Sequence, residues 1–264
     1  MQPSILLDAL ERVVAKLRPI TGLSIAISGS VARRAADKYS DLDVWLIVQS
    51  PEQLHVVQSA ARTAIEELGS LITTFPASHL GLERLHIFFI EIDEQIVKVD
   101  VEVLLAKDFR PPREIRALHD PEGIVAGATP IQSALFDPEL ANRRVAGWLW
   151  YAYGKIARGE LFEGVDALDV LRKVALVPLM LHRHNATLEG YRRLEDKLTA
   201  AELDRLRATY PSKVAAPEVL RALISAGHMF RDVYRDAAPE EDASAGLRRL
   251  DRMLAAIERD RTIV

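Results

Sequence analysis

Two acidic residues, Asp41 and Asp43, open an apolar segment and have the types and spacing best suited to chemistry. The segment Asp41–Val48 alternates in polarity, which predicts a β-strand with both carboxylates on one face. Two ionised carboxylates about 4 Å apart repel by about 4 kcal/mol at an effective dielectric of about 20. Mg²⁺ bound by one or two carboxylates together with substrate phosphates would relieve this repulsion. The pair therefore predicts a site for a divalent metal.

A glycine and two serines surround this pair in a way that suits phosphate. Gly29 and Ser30 follow a short apolar segment, Leu23–Ser28, that we interpret as the preceding strand, and Ser40 stands directly before Asp41. Glycine lets backbone N–H groups approach a phosphate closely, and a serine hydroxyl can donate as well. Either feature alone is more often a turn or an exposed strand end. Together, between two apolar strands, they predict a phosphate-binding loop beside the metal.

The arrangement of Gly29-Ser30 and Ser40–Asp43 resembles the signature of the polymerase-β-type nucleotidyltransferase superfamily, and especially its antibiotic-modifying branch, the aminoglycoside adenylyltransferases. The resemblance covers residues 22–48 closely and extends less closely to about residue 105. It implies that Asp41 and Asp43 bind Mg²⁺ and that a third acidic residue lies on a later strand.

The third acid is expected in the alternating segment Ile96–Leu105. Asp100 is our candidate for completing the metal site and accepting a proton, because an acid in an apolar strand is costly unless it is paired or bound to metal. Glu102 lies on the same predicted face and is the substitute, and Lys98 is on that side as well. A solvent-exposed polar face is the alternative explanation for these three residues.

The loop departs from the family pattern at one place. The resembling proteins usually have a second glycine a few residues after the Gly-Ser pair, where this chain has Arg33 and Arg34. We expect the loop to form nonetheless. Arg33 is a candidate for contacting a phosphate, although both arginines could simply be solvated.

The C-terminal half resembles the helical domains of adenylyltransferases. In such enzymes a lysine from this domain often meets the triphosphate, and we predict that Lys155 does so here. Lys173 and the pair Arg192-Arg193 are the alternatives.

The elements that position these residues predict an α+β protein. We expect a nucleotidyltransferase domain over residues 1–108 with a small mixed β-sheet flanked by helices, a Pro-rich connection over 109–138, and an all-helical substrate-binding domain over 139–264. The predicted elements of the first domain are a helix over Ser4–Leu17, strands over Leu23–Ser28 and Asp41–Val48, a helix capped by Ser50–Gln53, and a hairpin of Leu85–Ile92 and Ile96–Leu105.

The amino-acid composition and the charge limit the classes of partner that the protein is expected to bind. The 264 residues include no cysteine, which excludes disulfides and thiolate chemistry, and no apolar stretch of membrane-spanning length, so a cytoplasmic location is the default. The net charge is −4, and residues 1–108 hold 10 Lys/Arg against 15 Asp/Glu. This balance disfavours nucleic acid as a partner and suits a metal or a cationic small molecule. We expect a monomer or homodimer that does not bind membranes.

The expected reaction is Mg²⁺-dependent transfer of a nucleoside monophosphate, with AMP from ATP as the first choice, to a hydroxyl of a small molecule such as an aminoglycoside. Pyrophosphate is released. Two other functions stay open: a protein adenylyltransferase of the toxin–antitoxin type, for which the helical domain is unusually large, and a nucleotide-binding regulatory protein without turnover. The sequence does not identify the acceptor.

Overall fold

The computed structural model describes residues 3–112, 114–131, 136–237 and 240–260. The chain divides into two compact units, unit 1 with residues 1–132 and unit 2 with residues 133–264. Unit 1 contains a β-sheet with helices, and the described part of unit 2 is helical, so the predicted α+β class is confirmed. Within the described ranges, no helix combines the length and the apolar character needed to cross a membrane.

Unit 1 is built on one six-stranded sheet. Its strands are β1 (Ser24–Ser28), β2 (Leu42–Val48), β3 (Ser70–Ala77), β4 (Leu82–Ile92), β5 (Gln95–Leu105) and β6 (Ile115–His119). Its helices are α1 (Pro3–Leu17), α2 (Gly29–Ala32), α3 (Pro51–Glu66) and α4 (Ile124–Gly127), with 3₁₀ turns at Ser78–Leu80 and Ala106–Asp108.

The sheet is mixed, as predicted. The strand order is β3-β4-β5-β2-β1-β6, in which β2 and β5 run parallel and every other neighbouring pair runs antiparallel. Strands β4 and β5 form the expected hairpin, and its two loop residues, Asp93 and Glu94, both have positive φ. Positive φ at both central residues is typical of the tight turns that join antiparallel strands.

The core of unit 1 fixes which way β2 faces. Its apolar residues Leu42, Val44, Leu46 and Val48 are buried with the apolar residues of α1 and α3. A slip of one residue in strand register would move this apolar set out of the core and turn Asp43 into it, so burial specifies the register strongly. The helix α3 begins with the predicted capping box, in which Ser50 and Gln53 exchange hydrogen bonds with each other's backbone.

Two strands were not predicted from the sequence. The edge strand β3 is mostly exposed and contains Pro76, so it lacks the alternation of a half-buried strand. Strand β6 has five residues and pairs with β1, although it lies in the segment 109–138 that we interpreted as a connection. Helix α4 lies in the same segment, while residues 113 and 132–135 of it are outside the described ranges.

Unit 2 is a group of helices around its own apolar core. The helices are α5 (Pro138–Ala157), α6 (Leu161–Leu171), α7 (Val177–Arg183), α8 (Leu194–Lys197), α9 (Ala200–Ala208), α10 (Ala216–Ala237) and α11 (Glu240–Arg259), and a π-helical turn (Arg172–Leu176) joins α6 to α7. Arg172, at the start of that turn, is 1% exposed. It donates to the carbonyl of Thr209 at 2.6 Å, and its guanidinium lies 3.8 Å from the ring centroid of Tyr210.

Candidate active site

The structure brings Asp41, Asp43 and Asp100 together on one face of the sheet. Asp41 directly precedes β2, Asp43 lies in β2, and Asp100 lies opposite Asp43 in the parallel strand β5. Each residue offers one carboxylate oxygen, and these three oxygens all lie within 4.8 Å of one another. All three residues are partly buried. We call these residues the acidic triad.

Lys98 contacts two members of the acidic triad. Its Nζ donates to Oδ2 of Asp41 at 3.0 Å and to Oδ2 of Asp100 at 2.6 Å. Burial alone lowers the pKa of Lys98, but its hydrogen bonds to Asp100 and Asp41 outweigh this, and the pKa lies above its usual value. The two carboxylates thus hold the lysine in its charged form.

Asp100 is harder to ionise than an ordinary aspartate. Burial raises its pKa, and the hydrogen bond from Lys98 offsets this only in part. Its second oxygen, Oδ1, is buried and has no hydrogen-bond partner among the described residues. A buried carboxylate oxygen without a partner is costly, so a cation at this oxygen would stabilise Asp100.

A divalent metal fits the acidic triad on chemical grounds. Carboxylate oxygens are the ligands that Mg²⁺ prefers, and the triad offers three of them within the span of a single ion. The buried Oδ1 of Asp100 is suited to such a contact. Asp41, Asp43 and Asp100 are therefore the residues that could hold Mg²⁺.

Gly29 lies against the triad because β1 and β2 pair antiparallel. Ser28, the last residue of β1, lies opposite Asp43. Gly29 follows with φ of 71°, a left-handed conformation that favours glycine. A Cβ atom at this position would lie 2.3 Å from Oδ2 of Asp43. Only glycine therefore allows the chain to turn so close to this carboxylate.

The loop residues predicted to contact phosphate lie at different places. Ser30 follows Gly29 in the short helix α2. Ser40 accepts a hydrogen bond from the backbone N–H of Asp37 at 2.8 Å and donates to its carboxylate, so its hydroxyl closes the loop before β2. Arg33 pairs with Glu114 at 2.6 Å. The phosphate contacts of these three residues stay predictions.

Arg34 adopts a backbone conformation typical of glycine in the part of the loop where the family usually has a second glycine. Its φ is 60°, in the left-handed region, which costs free energy for a residue with a side chain. The loop forms nonetheless, because the N–H of Arg34 and that of Ala35 donate to the carbonyls of Val31 and Ser30.

Glu102 extends the acidic face along β5. It lies opposite Trp45 of β2 and Leu85 of β4, two residues beyond Asp100. Burial raises the pKa of Glu102, and the positive charge of Arg84 opposes this only in part. Glu102 is not among the three residues whose oxygens could share one ion.

Trp45 is a site residue whose role was not predicted. Its indole N–H donates to Oγ of Ser28 at 3.0 Å, which ties the end of β1 to β2 beside Asp43. Its ring meets Phe109 edge-on, with centroids 5.9 Å apart. The alternation of β2 places Trp45 on the same face as Asp43, and that was the only signal available in the sequence.

Lys155 lies in unit 2, in the last turn of α5. Its Nζ pairs with Glu160 at 2.7 Å and lies 5.3 Å from the ring centroid of Tyr151. The hydrogen bond to Glu160 raises the pKa of Lys155. Its contact with a triphosphate stays a prediction, as do those of the alternatives Lys173 and Arg192-Arg193.

Comparison with known proteins identifies the domain that carries the triad. Residues 7–121 match the family described as nucleotidyltransferase domain, which confirms the resemblance to the nucleotidyltransferase superfamily. None of the curated proteins compared with the chain matches it. Among solved structures, the chain is similar to an aminoglycoside 6-adenyltransferase from Bacillus subtilis, with 11% identity and a TM-score of 0.43 over 98% of this chain and 100% of that one. A likeness this distant does not identify an acceptor.

Proposed function

Since residues 7–121 form a nucleotidyltransferase domain and the chain is an enzyme of that class, we propose that it transfers a nucleoside monophosphate, AMP from ATP, to a hydroxyl of a small molecule. The observation that carries this proposal is the gathering of Asp41, Asp43 and Asp100 within 4.8 Å, next to the Gly29 turn.

The proposed reaction assigns different roles to the acidic triad and to the turn at Gly29. Asp41, Asp43 and Asp100 would hold Mg²⁺, which when bound neutralises charge on the triphosphate and orients it. The turn at Gly29 and the hydroxyl of Ser30 would orient the phosphates through hydrogen bonds. The acceptor oxygen forms a bond to the α-phosphorus while the bond from that phosphorus to the β-phosphate oxygen breaks, and pyrophosphate leaves.

The acceptor's proton must pass to a base during this transfer. We propose that Glu102 accepts it, with Asp100 as the alternative. Glu102 lies two residues along β5 from Asp100, so the pleat keeps both on one face. Because Asp100 has the better geometry for metal, Glu102 is the carboxylate left for proton transfer. A positioned base of this kind contributes about 100- to 10,000-fold to a rate.

We further propose a cationic acceptor of the aminoglycoside type. The supporting points are the resemblance of the Gly-Ser and Asp-Leu-Asp motifs to the antibiotic-modifying branch and the excess of five acidic residues in residues 1–108. An acidic surface raises the local concentration of a polycation.

A pyrophosphate-release screen with Mg²⁺ tests the proposed reaction. We expect release with ATP only when an acceptor is present, and with aminoglycosides before neutral alcohols. Asp43→Asn should abolish release, whereas Asp8→Asn, which alters an exposed carboxylate on α1, should not. Undiminished release by Asp43→Asn would disprove the metal assignment. ATP binding without release under any acceptor would favour a regulatory protein, and modification of a protein would favour the toxin–antitoxin alternative.

A second experiment separates the base from the metal ligands. Glu102→Gln should lower kcat by about 100-fold or more while Mn²⁺ binding, measured by electron paramagnetic resonance, stays unchanged. Asp100→Asn should weaken Mn²⁺ binding itself. If Glu102→Gln turned over at the wild-type rate, Asp100 would be the base.

A further inference from the structure

Lys98 uses the same carboxylates that a metal would require. The strand pleat places Lys98 and Asp100 on one face of β5, and the lysine stem reaches across to Asp41, which directly precedes the neighbouring strand β2. Its ammonium therefore bonds to one oxygen of Asp41 and one oxygen of Asp100. Three carboxylates with one ammonium carry a net charge of −2, compared with −3 for the carboxylates alone.

We propose that Lys98 is a built-in competitor of the divalent metal, displaced from Asp41 and Asp100 when the ion binds. This inference rests on the proposed use of the acidic triad as a metal site. An ammonium and a divalent ion repel each other at contact distance, so both cannot hold the same oxygens at full strength. Lysine suits an exchangeable contact, because its charge is carried on a flexible four-carbon stem.

The surroundings of Lys98 allow this exchange. Its side chain is 32% exposed, so the ammonium can move toward solvent without being buried elsewhere. Asp100 is only 15% exposed, and one of its oxygens has no partner in the part of the chain that the structure describes, so it gains more from a metal than from the lysine. Displacement thus moves the ammonium of Lys98, which is the more exposed group, and leaves the more buried carboxylate of Asp100 bound to the divalent metal.

The competition predicts tighter metal binding when the ammonium is removed. Lys98→Met keeps the apolar stem, and Lys98→Gln keeps a neutral donor that protects folding. In the absence of nucleotide and acceptor, both variants should bind Mn²⁺ about tenfold more tightly than wild type or better. Lys98→Arg keeps the charge and should bind Mn²⁺ as weakly as wild type. The control Lys107→Met alters an exposed lysine of the same unit and should change nothing.

A stability measurement gives a second readout. After chelation, Lys98→Met should unfold at lower denaturant concentration than wild type, because Asp41 and Asp100 lose their cation. Added Mn²⁺ should raise its midpoint by more than it raises that of wild type, since ligand stabilisation follows affinity.

The outcomes separate this inference from the function it rests on. Equal or weaker Mn²⁺ binding by Lys98→Met and Lys98→Gln would overturn it and would mean that the lysine orients the carboxylates for the metal. If Asp43→Asn weakened Mn²⁺ binding while the lysine variants did not alter it, only the competition would fail. If Asp43→Asn left Mn²⁺ binding unchanged, the metal assignment itself would fail.

Discussion

Replacing Gly29 by alanine should damage the site far more than the fold. The residue has φ of 71°, and a left-handed conformation costs an alanine about 1–2 kcal/mol. The new Cβ would also lie 2.3 Å from Oδ2 of Asp43, whereas ordinary contacts begin at 3.4 Å. The carboxylate must therefore move by roughly 1 Å, about the misplacement that costs a reaction 100-fold.

We expect three results for Gly29→Ala. The free energy of unfolding, measured with urea, should fall by about 1–2 kcal/mol, which leaves the protein folded. Mn²⁺ binding should weaken, because Asp43 is displaced from Asp41 and Asp100. Transfer followed by pyrophosphate release should slow by about 100-fold.

Gly81→Ala is the matched control for backbone strain. Gly81 has the same φ of 71°, but a Cβ there would meet no atom of the described ranges within 4 Å. This variant should lose similar stability while keeping wild-type Mn²⁺ binding and transfer. If Gly29→Ala also kept both, the close approach of the turn to Asp43 would not matter. If Gly81→Ala lost activity as well, strain alone would explain the effect.

Three further variants test local features that determine the stability of one unit or the other. Arg34→Gly should raise the free energy of unfolding by about 0.5–1 kcal/mol, measured with urea, because glycine adopts φ of 60° without the side-chain cost. Burial alone raises the pKa of Asp120, but hydrogen bonds from Ser24 and from backbone N–H groups lower it by more. The pKa of Asp120 in the folded protein therefore lies below the unfolded value of about 4. The ionised Asp120 therefore contributes its full stabilisation above pH 4, and this contribution is lost as the pH falls through the folded pKa. In urea unfolding, Asp120→Asn should lower the free energy of unfolding by about 1–2 kcal/mol at pH 7 and by progressively less below pH 4. A difference between variant and wild type that stayed constant with pH would contradict this. Arg172→Met should destabilise the protein by about 2–4 kcal/mol in the same assay, because the buried carbonyl of Thr209 loses its donor; a loss under 1 kcal/mol would show that water replaces it.

The strands that carry the acidic residues were predictable because, around the acids, fully buried residues alternate with partly exposed ones. Leu42 and Val44 alternate with Asp41 and Asp43, and period two leaves only one way to bury the apolar set. The same reasoning placed Asp100 and Glu102 on one face of β5. The alternation of apolar and polar residues along a strand does not show which strands become neighbours in the sheet. The pairing of β2 with β5 was expected only through the family resemblance.

The features that were missed depend on contacts between distant residues. The edge strand β3 has little apolar alternation because most of it faces solvent, and β6 is held by pairing with β1 rather than by its own pattern. The ion pair from Lys98 to Asp41 spans 57 residues and requires the strand order. In unit 2, helical periodicity predicts the buried face, but it does not show that Lys155 pairs with Glu160.

The antiparallel pairing of β1 with β2 explains why the Gly29 turn and the acidic pair Asp41 and Asp43 occur so close in sequence. A turn that begins where β1 ends must lie beside the start of β2, because Ser28 is opposite Asp43. The distance of the turn from Asp43 is thus set by one strand pair. The third carboxylate needs a separate strand on the other side of β2, and the parallel pairing with β5 supplies it at Asp100. Because β1, β2 and β5 each contribute one part, the site depends on the register of all three strands.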